Sequence, residues 1–495
     1  MTSALRPYLS ILLPSVAVFA IGAAIAATFL GWLGVAIVLG VLVFLAILIT
    51  TLYSPKIGVF VVAFLLPFER IGSLDLGGTT VRASQIVFLA VLVGWLLALL
   101  FKRVAMRLDH VVYVPMLVFL AIVSLSLIQA ENLTRGVTVL VFTVFVMLLP
   151  VVLPSVLTTK KDVWTIVVLI LLSGGLVSLF GLYQFAGDVV GLPPEVTGLL
   201  PQYTKDIFGF PRVHATAAEP LYLANYLLIP IALSLVYFLF RRRTRGELPV
   251  SSVRAFLFLS LTGLTLVLTL SRGGYLAFAA VLVLVFLVWL LDGIKTRRLL
   301  ALCVVGLVAV AGAYGALLFT GKQENLDAFV SQATEFTGGA GVVERVDTYE
   351  QAGTLILDHP WLGVGIGNFG PAVASSSWVQ PNDGWAIVNN EYLELFAEVG
   401  VFGLLAFLVL IGVLVVSGVR SAVHGLVRTR EQEDGFLSLT LFAFLAALFG
   451  ILVQYNTFST LFVLHIWFVV GMIVVIQRIL QDAHTPTSAT TARKL

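Results

Sequence analysis

Apolar residues fill the chain in long runs that are separated by short polar breaks. A helix needs about 20 mostly apolar residues to cross a bilayer, and about fourteen runs of roughly 18 to 24 residues meet that length. The third run is short and ends at Pro67. The pattern predicts an all-α polytopic bundle of about 12 to 14 transmembrane helices, the first of which is retained. The runs begin near residues 8, 32, 57, 84, 110, 136, 163, 220, 252, 273, 299, 391, 436 and 457.

Composition supports a membrane protein and excludes several other classes. Of the 495 residues, 60% are hydrophobic and 11% are charged, against about 45–50% and about 25% in soluble domains. That balance excludes a water-soluble globule and a disordered chain. Cys303 is the one cysteine, so no disulfide and no cysteine-based metal site is expected, and no cofactor is predicted. A net charge of +3 is too small to indicate nucleic acid.

The positions of lysine and arginine predict which loops face the cytoplasm, because cytoplasmic loops are enriched in both. With the N-terminus inside, 21 of the 29 basic residues fall on the inner side and 8 on the outer side. Both termini are therefore predicted to be cytoplasmic. The eight outer residues are Arg70, Arg82, Arg135, Lys205, Arg212, Arg272, Lys322 and Arg345.

Two outer segments, 187–219 and 321–389, are longer than ordinary helix connections of about two to eight residues. The second contains a predicted helix over 344–357. Long ordered loops often carry function, so we predict a large outer loop domain with the active surface. The predicted organisation is 1–160 for N-terminal transmembrane helices, 161–415 for a core with both outer loops, 416–480 for C-terminal transmembrane helices and 481–495 for a disordered tail.

A basic, an imidazole and an acidic side chain precede one predicted span, at Arg212, His214 and Glu219. They predict a polar site at the membrane edge, and Asn225 continues that polarity into the helix. The alternative is an arginine that extends toward water beside a helix begun by Pro220.

Arg272 stands at the outer end of another predicted span and precedes two glycines. One interpretation is a cation at a helix C-terminus, which the helix dipole favours by about 0.3–1 kcal/mol. The other is a guanidinium held at a fixed depth by a tight outward turn. The sequence leaves both open.

Three carboxylates, Glu391, Glu394 and Glu398, enter a predicted span at spacings that place them on one helix face. Carboxylates inside a span are costly and usually face a bundle interior or a wet cavity. Asn389 or Asn390 as N-cap, with Glu391 in the first turn, is an alternative explanation for Glu391 alone.

A glycine-rich turn contains Gly363, Gly365 and Gly367. No strand precedes it, so it is not a dinucleotide-binding fingerprint. The favoured interpretation is a close backbone approach between this loop and a helix end, and the alternative is backbone N–H contact to a phosphate.

Four stretches in order resemble the superfamily of O-antigen ligases and O-antigen polymerases, which are bacterial envelope glycan enzymes. The resemblance covers about 160 to 415. The stretches are an arginine and a proline before a helix at 212–226, a Ser-Arg-Gly turn at 270–275, a His-Pro segment with three glycines at 358–369, and Asn-x-Tyr-Leu-Glu followed by Glu-x-Gly-x-x-Gly at 390–404.

The resemblance implies transfer of a glycan from an undecaprenyl diphosphate carrier to a glycan acceptor, at the outer face of the bacterial plasma membrane. Membrane lipid and a chain-length regulator are further expected partners. On this basis Arg212, Arg272 and Arg345 are expected to bind the diphosphate, because arginine suits phosphate oxygens. The expected supporting residues are Asn389, Asn390, Glu398, Gly363 and Gly365.

One position departs from the family. In the ligase branch a histidine precedes the Asn-x-Tyr-Leu-Glu stretch and activates the acceptor, whereas this chain has Asn389, whose neutral amide is no general base. Polymerisation is therefore favoured over ligation to lipid A core. A ligase for another acceptor, a lipid-linked glycan flippase and an inactive relative are the alternatives. Candidate bases are Glu394, Glu391, His214 and Glu219.

Overall fold

The computed structural model of the protein describes residues 32–75, 80–205, 210–241, 248–291, 340–375, 386–428, 435–459 and 461–484. The first half of the chain forms helices α1 (Trp32–Tyr53), α2 (Pro55–Leu65), α3 (Ala83–Leu100), α4 (Tyr113–Ser126), α5 (Leu133–Met147), α6 (Leu149–Val156), α7 (Lys160–Val189) and α8 (Pro194–Thr197). The two-residue strands β1 (Leu74–Asp75) and β2 (Thr80–Val81) pair antiparallel between α2 and α3.

The second half is also helical. It forms α9 (Pro220–Phe240), α10 (Ser252–Leu268), α11 (Arg272–Leu291), α12 (Ala340–Asp358), α13 (Phe369–Ser375), α14 (Glu391–Arg428), α15 (Gly435–Gln454) and α16 (Leu464–His484). Single 3-10 turns lie at Leu127–Gln129, Pro201–Tyr203 and Tyr455–Thr457.

Three helices form the centre of the bundle. The apolar stretch of α9 is buried throughout, and the apolar stretches of α15 and α16 are mostly buried. Helix α9 packs against α10, α11 and α15, while α16 packs against α6, α14 and α15. A helix that is apolar on all sides must be surrounded by other apolar surface, which explains why these helices are central.

Outer helices of the bundle keep large apolar side chains exposed, such as Leu96 on α3, Leu172 on α7 and Leu408 on α14. Among the described residues, eight helices are long and apolar enough to cross a membrane, and four more apolar helices are shorter. The all-α polytopic fold is thereby confirmed. The predicted spans near residues 8 and 299 lie outside the described residues.

The bundle has two ends, each of which carries its own polar contacts. At one end Lys56 pairs with Asp162 at 2.9 Å and Arg107 pairs with Asp482 at 2.6 Å. At the other end Arg70 approaches His214. We call these the Lys56 end and the Arg212 end. Lys56 and Arg107, which are predicted to be cytoplasmic, lie at the first end, and Arg70, which is predicted to be outer, lies at the second.

The second outer segment has its own small core beside the start of α14. Ala352, Leu355, Phe369 and Val388 are buried together there. The predicted helix at 344–357 is confirmed as part of α12, while 321–339 and 376–385 lie outside the described residues. At the C-terminus α16 continues to His484, so the predicted disordered tail is wrong for 481–484.

Candidate active site

A break in α14 and the glycine turn form one structural unit. Gly400 has φ 67° and interrupts the helix. In an unbroken helix the carbonyls of Ala397 and Glu398 would accept N–H groups four residues later. Here Val364 N–H donates to the Ala397 carbonyl at 2.9 Å, and Gly365 N–H donates to the Glu398 carbonyl at 2.8 Å. The turn thus satisfies the carbonyls that the break exposes.

Glycine is required at this contact because the two backbones nearly touch. A Cβ on Gly400 would lie 2.1 Å from the Trp361 carbonyl oxygen, and a Cβ on Gly363 would lie 2.3 Å from the Glu398 backbone. Both glycines have positive φ. The predicted close backbone approach is confirmed, although it occurs inside a helix rather than at its end.

The phosphate interpretation of the turn is wrong, because its backbone N–H groups are already used. Those of 363–365 and 368 donate to backbone carbonyls. Ile366 N–H donates to the Ser126 hydroxyl at 3.1 Å. The Glu398 carboxylate accepts the last two, from Gly367 at 2.7 Å and Phe369 at 3.0 Å. Glu398 therefore holds the turn and the start of α13 in place.

The three carboxylates of α14 line one cavity of about 120 Å³, as their spacing predicted. Glu391 and Glu398 are buried. The Oε2 atom of Glu394 accepts the N–H of Val388 at 2.9 Å. Arg135 lines the same cavity, and its Nε–H donates to the Gly367 carbonyl at 2.6 Å. A half-buried cation beside three carboxylates reduces the cost of their burial.

Asn390 is the N-cap of α14. Its side-chain oxygen accepts the N–H groups of Tyr392 at 3.1 Å and Leu393 at 3.2 Å. Asn389 just before it has φ 58°, a left-handed conformation that asparagine tolerates better than most residues. The capping alternative for Glu391 is therefore correct in its geometry. The left-handed backbone at Asn389 is a separate structural reason for asparagine at that position.

His214 is fully buried between three segments. Its Nε2 accepts the N–H of Leu200 at 3.2 Å and lies 3.3 Å from the Arg70 guanidinium, while its Nδ1 faces the Ala217 carbonyl at 3.2 Å. Burial, and secondly Arg70, lower the pKa of His214 to about 4. Both ring nitrogens are occupied, so this geometry is that of a neutral structural histidine.

Arg212 lies where the loop before α9 meets the junction of α10 and α11. Its Nε–H donates to the Thr269 carbonyl at 3.0 Å, and its guanidinium lies 5.7 Å from the centre of the Tyr203 ring. Burial lowers the pKa of Arg212, Tyr203 and Glu219 raise it, and Arg345 lowers it further. Two of the three arginines expected to bind diphosphate therefore share one electrostatic environment.

Glu219 is exposed beside Arg212. Although the side chain as a whole is exposed, its carboxyl is partly withdrawn from water, which raises the pKa of Glu219. Arg212 lowers this pKa and Glu69 raises it, so the pKa lies above its ordinary value. A carboxylate with this environment is a better base than an unperturbed one.

Arg272 is the first residue of α11. The helix C-terminus interpretation is therefore wrong, because the dipole at an N-terminus disfavours a cation. Ser271 caps this helix by accepting the N–H of Gly274 at 3.2 Å. Gly273 faces Thr457, where a Cβ would lie 1.9 Å from the hydroxyl. The two glycines let the start of α11 pack closely and fix the position of Arg272.

Four residues that were not among the predicted site residues connect the surroundings of Arg212 and Glu219 to the carboxylate cavity. Glu69 accepts the N–H of Ala218 at 3.0 Å and lies 3.8 Å from Arg82. The Arg82 guanidinium lies 5.9 Å from the centre of the Tyr222 ring, which lines the carboxylate cavity with Arg135. Arg82 and Arg135 carried a signal in the sequence, since both belong to the eight outer basic residues.

Asn225 does not join this surface. Its amide donates to Gln454 at 3.0 Å and its carbonyl oxygen lies 2.7 Å from His465, in a buried network between α9, α15 and α16. Within the described part of the chain, no group of three His, Cys, Asp or Glu side chains has the geometry of a metal site.

Residues 255–408 match the sequence model of the family described as O-antigen ligase. The matched range contains three of the four motif stretches and confirms the resemblance to the O-antigen ligase superfamily. No curated protein matches the chain. The fold and this match together support a multi-pass membrane protein with a role of the glycan ligase or polymerase type, a type whose general substrates are a lipid-linked glycan and an acceptor.

Proposed function

We propose that the protein polymerises an undecaprenyl-diphosphate-linked glycan at the outer face of the bacterial plasma membrane, with both termini in the cytoplasm. The observation that carries this proposal is the placement of Arg212 beside Glu219 at the Arg212 end, with Arg345 near enough to Arg212 to lower its pKa. Cations that bind a leaving group and a carboxylate that accepts a proton are the two requirements of glycosyl transfer from a diphosphate.

The arginines act on the leaving group. Arg212, Arg345 and Arg272 bind the diphosphate and stabilise the negative charge that develops on it as the glycosidic bond breaks. Arginine stays charged even where burial lowers its pKa, and its planar guanidinium donates two parallel hydrogen bonds to phosphate oxygens. The contact of Arg212 with Thr269 fixes its guanidinium before substrate binds.

Glu219 is the general base in this proposal. The acceptor hydroxyl oxygen forms a bond to the anomeric carbon, its proton passes to the Glu219 carboxylate, and the bond from that carbon to the diphosphate oxygen breaks. We favour Glu219 over His214 because both His214 nitrogens are occupied. We also favour it over Glu391 and Glu394, because their cavity of about 120 Å³ has room for about four waters rather than a sugar.

Polymerisation is proposed over ligation because of Asn389. Its amide cannot remove a proton near neutral pH, and its backbone conformation accounts for asparagine there. Asn389→His tests this point. Gain of transfer to a lipid A core acceptor would indicate that only the base separates this chain from a ligase, whereas no gain would indicate a different acceptor site.

The deciding experiment incubates purified protein with a synthetic undecaprenyl diphosphate oligosaccharide and resolves the products by mass. Products that grow by whole repeat units, and that Arg212→Ala abolishes, are the expected result. Lys205→Ala is the matched control, because Lys205 is another basic residue at the same end and its ammonium binds the Val189 carbonyl. Donor that binds without turnover, or that crosses a vesicle membrane unchanged, would contradict polymerisation and favour an inactive relative or a flippase.

A chain-length regulator as partner stays a prediction. Addition of such a membrane protein to the same assay is expected to change the length distribution of the products without changing the requirement for Arg212.

A further inference from the structure

A continuous groove follows α14 from its break toward the Lys56 end. The first part has a volume of about 750 Å³ and lies between α4 and α14. Its lining is apolar and includes Val118, Leu405 and Val409. The second part has a volume of about 540 Å³ and a polar lining. Val413 lines both parts, so the two form one groove whose chemistry changes along its length.

The polar part brings together side chains from two helices and from the segment that precedes α4. Ser417, Arg420 and Ser421 come from α14, and Gln477 comes from α16. Gln477 donates to the Ser421 hydroxyl at 3.3 Å, which links the two helices at this point. The Ser417 hydroxyl donates to the Leu414 carbonyl at 3.0 Å. The Ser421 hydroxyl, the Gln477 amide and the Arg420 guanidinium are the kinds of donor that bind phosphate oxygens.

The charge of the polar part is positive where a ligand would enter. Asp109 lines it, but Arg478 pairs with that carboxylate. Among the described lining residues Arg420 therefore contributes a positive charge that Asp109 does not balance. Basic pockets between transmembrane helices bind anionic lipid head groups.

The length of the apolar part fits one acyl chain. From Phe402 to Val413 α14 rises about 16 Å at 1.5 Å per residue, close to half of a hydrocarbon core of about 30 Å. Trp361 stacks on Phe402 with ring centres 5.6 Å apart and closes the far end. A polyprenyl carrier has a much longer chain than this groove accommodates.

We propose that this groove is a binding site for one anionic phospholipid, with an acyl chain between α4 and α14 and its phosphate beside Arg420. The polar part of the site lies at the opposite end of α14 from the carboxylate cavity, whereas the apolar part begins beside the break at Gly400. The head-group contact is therefore separate from the residues of the proposed glycosyl transfer, and the lipid joins α4, α14 and α16.

The test uses the full-length protein in nanodiscs of phosphatidylcholine that contain phosphatidylglycerol as the minor lipid. After transfer to detergent, native mass spectrometry counts the phosphatidylglycerol retained per protein. Wild type is expected to retain one molecule. Arg420→Gln is expected to lower retention about fivefold, the factor for one basic residue near the membrane surface. The control Arg254→Gln, an exposed arginine on α10, is expected to retain the lipid.

Tryptophan substitutions that fill the groove test the contribution of its apolar part separately from the charge of Arg420. Ala406→Trp is expected to displace phosphatidylglycerol although Arg420 is intact, and Val409→Trp does the same at a more exposed position if the first variant does not fold. Equal retention by wild type, Arg420→Gln and the tryptophan variants would overturn the proposal. So would equal retention of phosphatidylcholine and phosphatidylglycerol by wild type.

Discussion

Two titratable residues before α9 stand five positions apart in very different surroundings. His214 is fully buried with both ring nitrogens occupied, whereas Glu219 is exposed beside Arg212. In the sequence both are polar groups at the edge of a span, and nothing distinguishes them. The residues around each side chain identify His214 as structural and leave Glu219 as a candidate base.

Acid is expected to destabilise the protein through His214. Its pKa is about 4 in the folded state and about 6.5 when unfolded, so the unfolded chain binds an extra proton between these values. Stability is therefore complete above about pH 6.5 and falls as pH drops toward about 4, by roughly 3 kcal/mol. Melting temperatures in detergent across this range measure it.

His214→Gln removes this titration and is expected to flatten the pH dependence, at a cost in stability near neutral pH. His424→Gln is the control, because His424 is an exposed histidine at the Lys56 end. An unchanged acid dependence in His214→Gln would contradict the assignment of a neutral, buried imidazole.

Glu219 is expected to set the acid limb of the activity profile. A base must be deprotonated, and the raised pKa of Glu219 places the loss of activity at a higher pH than an ordinary glutamate would. Glu219→Gln is expected to lower kcat by about 10²–10⁴-fold while donor binding is kept. Loss of activity in Glu394→Gln but not in Glu219→Gln would instead assign the base to the carboxylate cavity.

At the scale of elements, the glycine turn at 363–367 and the break at Gly400 act as one unit. The turn replaces helical hydrogen bonds that α14 gives up, and the Glu398 carboxylate holds the turn from the other side. Because of this arrangement Glu398 has a structural explanation, while Glu391 and Glu394 remain directed at the cavity.

Gly400→Ala is expected to destabilise the protein by at least ~2 kcal/mol, because positive φ and contact with the Trp361 carbonyl both oppose a side chain. Gly412→Ala on the same helix is the matched control, since nothing lies within 4 Å of a Cβ there. That change is expected to preserve or raise stability, because alanine favours helix over glycine. Thermal unfolding of both variants gives the comparison, and equal melting temperatures would contradict the role of the break.

At the scale of the whole molecule, the two ends of the bundle differ in their polar side chains. The Arg212 end carries the candidate active site, and the Lys56 end carries three ion pairs and the polar part of the lipid groove. The proposed orientation places the first end at the outer face of the plasma membrane and the second in the cytoplasm.

Cysteine labelling tests this orientation. In a Cys303→Ser background, which leaves no other cysteine, Glu195→Cys at the Arg212 end is expected to react with a membrane-impermeant maleimide in intact spheroplasts. His424→Cys at the Lys56 end is expected to react only after permeabilisation. The reverse pattern would place both termini at the outer face. It would contradict the proposal, because the Arg212 end would then lie on the cytoplasmic side, away from the lipid-linked donor.

The sequence alone determined the all-α membrane architecture, because spans must be long and apolar for every backbone group to be satisfied within the bilayer. It also indicated the resemblance to the O-antigen ligase superfamily, since four motif stretches occur in order. It determined the shared face of Glu391, Glu394 and Glu398, since helix periodicity fixes which side chains lie together. These features depend on local spacing.

Only the tertiary structure decided which candidates share a site. It joined the glycine turn to the break at Gly400, buried His214 against Leu200 and Arg70, and placed Arg135 beside carboxylates more than 250 positions away in the chain. It also placed Arg272 at the start of a helix, which decided between the two interpretations that the sequence left open. Long-range packing sets these partners, and burial and hydrogen bonding then decide whether a polar side chain supports the fold or is available for chemistry.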